Sequence, residues 1–470
     1  MKHKVISGYG LLLLVLLAVQ SIPASVHAQQ QFSADWASLD ARPIPQWFKD
    51  AKLGIFIHWG VYSVPAWAPV GKDFAVYSKY SEWYWNRLVT DSSNVGKAFR
   101  AYHNSTYGPN VKYQDFAPMF KAELFNPAQW AEVFKKAGAQ YVVLTSKHHD
   151  GFALWPSAEA WNWNTVDVGP HRDLAGELTD AVKAKGLHMG FYYSLYEWFN
   201  PLYKSNVNKY VSEHMIPQLK DLVVRYKPDI IWPDGEWEHP SDTWKSTEFL
   251  AWLYNESPVK NSVVVNDRWG KETRSKHGGY YTTEYDIIHN EDATKKKFDH
   301  PWEECRGIGG SFGYNRNENL GDYETSDALI QMLIQKTARG GNLLLDIGPD
   351  ADGTIPVIMQ QRLADLGTWL NTNGEAIYGT SAGQQVSGNG VFSTQKNQDL
   401  YLLLTAETNK PLTVNLTQAP QKATLLGADK KVKYSFKNGK LVIEPLGMYP
   451  NLPSGGYAWV IKLEGAVTKQ

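Results

Sequence analysis

The chain has one cysteine, Cys305, in 470 residues, so no internal disulfide can form and an exported form must rely on its core. Charge of either sign is not in excess. Lys plus Arg is 47 and Asp plus Glu is 48, a net charge of -1, which gives no electrostatic case for nucleic acid or an anionic membrane surface. There is also no apolar run of the roughly 20 residues that a membrane-spanning helix needs. The stretch "GLLLLVLLAV" (10–19) is shorter, follows Lys2 and Lys4, and precedes the small-x-small triplet Val26-His27-Ala28. Residues 1–28 therefore read as a signal peptide and not as a membrane anchor. An exported protein is expected: periplasmic or extracellular in a bacterium, secretory or lysosomal in a eukaryote. No H-x-H or H-E-x-x-H spacing occurs, and no glycine-rich turn follows the first predicted strand. The first absence argues against a metal centre and the second against a doubly wound nucleotide-binding sheet, so neither metal nor cofactor is expected.

Aromatic residues, in contrast, are abundant: 13% of the chain, with 19 Trp and 26 Tyr, a load that suits a large core and a carbohydrate surface. From residue 53 an apolar strand, a polar loop and an amphipathic helix alternate. Strands are predicted at 53–60, 141–149, 188–194, 229–232, 262–269 and 342–349. Helices are predicted at 127–139, 173–186, 208–226 (with Pro217 inside) and 355–378. This beat predicts parallel strands with helical crossovers, an α/β chain forming a (β/α)₈-type barrel over 29–378. Beyond about residue 380 short alternating runs such as "DLYLLLTAE" and "YAWVIKLE" predict an antiparallel β-sandwich over 379–470. Residues 88–112, rich in Ser, Asn and Tyr, read as a loop over one barrel end.

The densest chemistry lies in "KPDIIWPDGEWEHPSDTW" (227–244). Asp234 follows a short apolar strand, where a barrel presents its catalytic groups, and Glu236, Trp237 and Glu238 come directly after it. Alone, such a segment is an ordinary solvated acidic turn. Other predicted strands, however, also end in polar and aromatic groups: His58-Trp59, His148-His149, Tyr192-Tyr193, Trp232, and Asn266 to Trp269. A lone histidine at a strand end is ordinarily a structural hydrogen-bond donor; a whole ring of such ends is what a barrel active site looks like. Adjacent strand residues face opposite ways, so His148 and His149 are not expected to chelate one ion. Glycoside cleavage needs a second carboxylate, and Glu82, Glu284, Glu303 and Glu304 are candidates that spacing does not separate.

The motifs "FIHWGVYSVPAW", "YVVLTSKHHDGF", "WNWNTVDVGPHRDL", "DGEWE", "SPVKNSVVVNDRWG", "HGGYY" and "GGNLLLDIGP", in this order, resemble the retaining alpha-L-fucosidases. The resemblance runs from near Asp35 to near Glu464. It implies a barrel plus β-sandwich, a two-step retaining mechanism without a metal, and fucosylated glycans or glycoconjugates as partners. It puts the nucleophile on Asp234 and the fucose contacts on His58, Glu82, Trp83, His148, His149, Tyr192, Trp232 and Arg268. The acid/base falls on Glu303, with Glu304 and Glu284 as competitors. The rival readings are a retaining glycosidase for another sugar and a non-catalytic carbohydrate-binding protein. The oligomeric state, a homo-oligomer included, is left open.

Overall fold

The computed structural model describes residues 1, 3, 31–288, 291–294, 298–386, 388–407, 409–428, 432–446 and 456–468. The predicted signal peptide thus lies almost wholly outside the described residues. Residues 32–470 form one compact unit.

Its first half is built on a ten-stranded sheet. The strands are β1 (Leu53–Ile57), β2 (Tyr141–Lys147), β3 (His188–Ser194), β4 (Ile230–Asp234), β5 (Val264–Val265), β6 (Tyr281–Glu284), β7 (Ile287–Ile288), β8 (Glu291–Asp292), β9 (Trp302–Gly307) and β10 (Asn342–Ile347). Their order is β5-β4-β3-β2-β1-β10-β9-β6-β7-β8. The pairs from β5 round to β6 are all parallel, and a parallel bridge between Asn266 and Tyr280 joins the two ends. The parallel strands therefore curl into a barrel. They are buried on both faces and so read as continuous apolar runs. Phe56, Tyr141, Val143, Tyr192 and Trp232 fill the interior, while Ile55, Ile57, Val142, Leu144 and Ile231 pack outward against the helices. At the N-terminal end of the strands Phe48 plugs the barrel, stacked on Tyr280 with ring centroids 4.2 Å apart.

Helices cross over where local signals start and stop them. Asn126 caps Pro127–Lys136 by accepting from Gln129 N, and Asp173 caps Leu174–Ala184 by accepting from Gly176 N. The stretch 207–226 is helical as expected, but Val211–Met215 is a π turn between Val207–Tyr210 and Ile216–Tyr226. Pro217 has no N–H to donate and its ring crowds the carbonyl four residues back, and the wider turn just before it accommodates both. The β5-to-β6 and β6-to-β9 connections carry no helix among the described residues.

Two expectations are corrected. Residues 88–112 are not a loop: they hold the 13-residue helix Asn94–Thr106. Ser93 Oγ caps it by accepting from Val95 N and Gly96 N, and Phe99 and His103, four apart, face inward. The strand expected over 262–269 is only Val264–Val265. Past it, the Asn266 side chain donates to Pro233 O (3.0 Å) and accepts from Arg268 N (3.0 Å), taking the place of ladder bonds.

The C-terminal strands form a five-stranded and a three-stranded antiparallel sheet. Leu400, Leu402 and Leu404 share a core with Val414, Leu441 and Ile443 of the smaller sheet, which makes a sandwich. The alternate residues Tyr401 and Leu403 pack instead into the barrel's helical layer, and Trp369 Nε1 donates across that boundary to Ala458 O (3.1 Å).

Candidate active site

The C-terminal ends of the barrel strands surround a pocket of about 190 Å³. Asp234 is the last residue of β4, whereas the strand expected over 229–232 would have left it just past the end. The chain turns away at Gly235 (φ +78), where a Cβ would lie 2.6 Å from Tyr196 Cβ, so only glycine fits. Asp234 is 8% exposed and held at both oxygens. Arg268 Nη1 donates to Oδ1 at 2.6 Å and the Tyr192 hydroxyl to Oδ2 at 2.9 Å. The other end of the same guanidinium, Nη2, donates to Glu284 Oε2 at 3.3 Å, and Tyr80 donates to Glu284 Oε1 at 2.8 Å. Burial alone would lower the Arg268 pKa, but Asp234 and Glu284 outweigh it and hold the guanidinium well above its ordinary value.

His58, which follows β1, and His148 and His149, which follow β2, all line the pocket. The alternation argument against a shared His148–His149 face fails because both lie past the strand end. Their ring centroids are 4.1 Å apart. Burial pushes all three imidazoles well below their ordinary pKa, so they are neutral. Ser194 Oγ gives its proton to Tyr196 O (2.5 Å) and therefore accepts from His149 Nδ1 (2.6 Å). That leaves His149 Nε2 as a bare acceptor, 3.9 Å from Asp234 Oδ2. His58 Nδ1 pairs with Asp346 Oδ1 at 2.6 Å, and His148 Nδ1 has no partner among the described residues. Among the described residues no three His, Cys, Asp or Glu side chains gather as a metal cluster.

Glu82 and Trp83 reach the pocket from a 3₁₀ turn, Ser81–Trp83. Burial raises Glu82 to a pKa of about 7, opposed by the Gly313 N–H, which donates to Oε2 at 2.9 Å. Trp232 completes the wall, with Arg268 over its ring at 4.6 Å.

The structure brings together every residue predicted for the site except Glu303. In the parallel β6–β9 register Thr282 is opposite Glu303, and Glu284 is opposite Cys305. Glu303 therefore lies two residues, or ~6.6 Å, deeper in the barrel than Glu284. Its carboxyl accepts from Tyr141 (2.5 Å) and from Trp232 Nε1 (2.9 Å), so Trp232 lies between it and the pocket. Burial, opposed by those hydrogen bonds, raises its pKa to about 7. Glu304 faces outward, toward Thr283 and Arg306. Sequence reasoning did not single out Tyr77, Tyr80, Arg87 or Phe312, which also line the pocket. The run "YSKYSEWYW" (77–85) around Glu82 was the available signal for the two tyrosines.

A family model described as Alpha-L-fucosidase matches residues 19–375. The chain is 44% identical over 475 residues to a tissue alpha-L-fucosidase of Rattus norvegicus, covering 97% of both chains. It is 49% identical over 360 residues to an alpha-L-fucosidase of Dictyostelium discoideum, covering 75% of each. Among solved structures, a Thermotoga maritima alpha-fucosidase in complex with a mechanism-based inhibitor superposes with a TM-score of 0.78 at 35% identity, covering 92% of this chain and all of that one. With a barrel that gathers two carboxylates onto one arginine, and likeness over nearly its whole length, the chain belongs to the alpha-L-fucosidase family of glycoside hydrolases.

Proposed function

We propose that the protein releases terminal alpha-L-fucosyl residues from glycans by a retaining double displacement, with Asp234 as nucleophile and Glu284, in place of Glu303, as acid/base. The observation that carries this reading is the Arg268 fork, which bonds Asp234 at one end and Glu284 at the other within the pocket. An Asp234 oxygen attacks the anomeric carbon, the bond to the leaving oxygen breaks, and Glu284 supplies that oxygen's proton. Water then gives a proton to Glu284 and attacks the same carbon, which frees Asp234 with net retention. Direct attack calls for a carboxyl separation of about 5–5.5 Å, and the shared guanidinium limits how far apart the two groups can lie.

The substrate-binding assignments for His58, Glu82, Trp83, His148, His149, Tyr192, Trp232 and Arg268 fit this reading. The bare Nε2 of His149 accepts a hydrogen bond from a sugar hydroxyl, Glu82 offers a further acceptor, and the Trp232 and Trp83 rings cover apolar sugar faces. Glu303 becomes a positioning residue that holds Trp232. Export after removal of residues 1–28, a catalytic domain over 29–378 and an accessory β domain over 379–470 belong to the same proposal.

The test is azide rescue. Glu284→Ala should keep far more activity on a dinitrophenyl fucoside than on a fucosylated disaccharide, and azide should yield a fucosyl azide of retained configuration. Glu303→Ala should show neither behaviour. Rescue of Glu303→Ala and not of Glu284→Ala would return the acid/base role to Glu303.

A further inference from the structure

A buried ion pair that the double displacement does not use lies beside the segment carrying His148 and His149. Lys147, the last residue of β2, is fully buried, and its Nζ donates to Glu197 Oε2 at 2.5 Å. Glu197, beyond the end of β3, is buried too. The same ammonium donates to the Tyr210 hydroxyl at 3.3 Å and lies 4.4 Å from the centre of the Tyr193 ring. Strand alternation would point Lys147 into the barrel with Tyr141 and Val143. The β2–β3 register skips one residue between Thr145 and Lys147, so Lys147 pairs instead with the outward-facing Tyr193.

Stability alone does not account for such a pair, because apolar side chains of similar volume in its place are often neutral or stabilising. What the pair holds bears on the site. Glu197 precedes Trp198, whose backbone N–H donates to His149 O at 2.7 Å, and the Trp198 and His149 rings lie 5.4 Å apart. A Cβ on Gly151 would lie 2.2 Å from Glu197 Oε1, so the loop beyond β3 closes tightly on the loop beyond β2. The pair thus joins the two segments that set where the His149 ring sits.

The cation also acts on the charge of that ring. Asp234 Oδ2, 3.9 Å from the bare Nε2, favours a proton there. Such a proton would turn the acceptor into a donor and tie the carboxylate proposed as nucleophile to an imidazolium. Burial opposes it first, Lys147 next and His58 after that. The other titratable groups facing the ring are His148 beside it, Tyr192 of β3 and Tyr196 beyond β3. Burial lowers the Lys147 pKa and Glu197 opposes that. An ammonium and a carboxylate held together out of water keep each other charged.

We propose that Lys147 and Glu197 are positioning residues for His149: the pair fixes the place of the ring, and its cation keeps Nε2 a hydrogen-bond acceptor toward the sugar. The sugar contact rests on the fucosidase reading; the control of the ring's charge does not.

Nitrogen-15 NMR of the histidine rings in the full chain reads that charge without any sugar, with the His149 signal assigned by its loss in His149→Gln. The native ring should stay neutral down to about pH 5, and in Lys147→Met/Glu197→Gln it should be at least half protonated there. Lys147→Arg keeps the cation and should keep the ring neutral, even if crowding lowers turnover. The KM for an aryl fucoside should rise between pH 7 and pH 5 by about threefold more in the double variant than in the native chain. If the double variant does not fold, Lys147→Gln, which can still donate to Glu197, should move both readouts in the same direction. A ring that stays neutral without the Lys147 charge, or a KM that follows pH as in the native chain, overturns the proposal. No turnover of an aryl fucoside by the native chain would count against the fucosidase reading instead, and the ring titration would still decide what sets the charge of His149.

Discussion

Asp234 is fixed by two donors, Tyr192 of the neighbouring strand β3 and Arg268 in the segment beyond β5, so both its place and its orientation are set before a sugar arrives. Asp234→Asn keeps the shape and removes the carboxylate proposed as nucleophile. It should lower aryl fucoside turnover on the order of 10³-fold or more while the circular dichroism spectrum stays native. A variant keeping a tenth of native activity would show that Asp234 is not the nucleophile. Glu303 calls for a different measurement. Its pKa is raised from 4.5 to about 7, so between those values the folded chain holds a proton that the unfolded chain releases. The stability this gives is fully present below about pH 4.5 and is lost as pH rises through about 7. Glu303→Gln, a mimic of the neutral acid, should therefore gain on the native chain by up to about 3 kcal/mol between pH 5 and pH 8 in urea unfolding. A pH-independent difference would mean that Glu303 is ionised throughout.

At the scale of elements, the helix Asn94–Thr106 shows how a short cap decides structure in a polar segment. "DSSN" reads as a turn, but Ser93 Oγ satisfies two N–H groups of the first turn and Phe99 supplies a buried anchor. Ser93→Ala should cost about 1 kcal/mol, seen as a lower thermal midpoint, since Ser93 is the side chain that caps that end among the described residues. A midpoint unchanged from native would mean that tertiary packing alone holds the helix. The β6–β9 pair makes the complementary point. Both strands carry inward glutamates, and only their register decides that Glu284 meets the pocket while Glu303 stays under Trp232.

For the molecule as a whole, the barrel draws the site from the ends of successive strands, with the sandwich packed against its helical layer on another face. The chemistry that the two carboxylates support is proton transfer and nucleophilic attack. Aryl fucoside turnover should therefore survive exhaustive dialysis against EDTA within about twofold. Activity lost on chelation and restored by Zn²⁺ or Ca²⁺ would require a metal in the mechanism.

The alternation of apolar strands and capped helices carried the barrel, because burial on both faces of a parallel strand leaves a continuous apolar run in sequence. The same held for the sandwich, where Leu400, Leu402 and Leu404 mark one face by their spacing alone. Asp234, His58 and Arg268 were legible as polar groups at strand ends, since chain order fixes which end of a barrel strand carries chemistry. Tertiary structure decided what depends on the relation between strands. Local sequence holds no record of the β6–β9 register that separates Glu284 from Glu303. Nor does it show that His148 and His149 share a face past the end of β2, or that Tyr80 folds back onto Glu284 from 204 residues away.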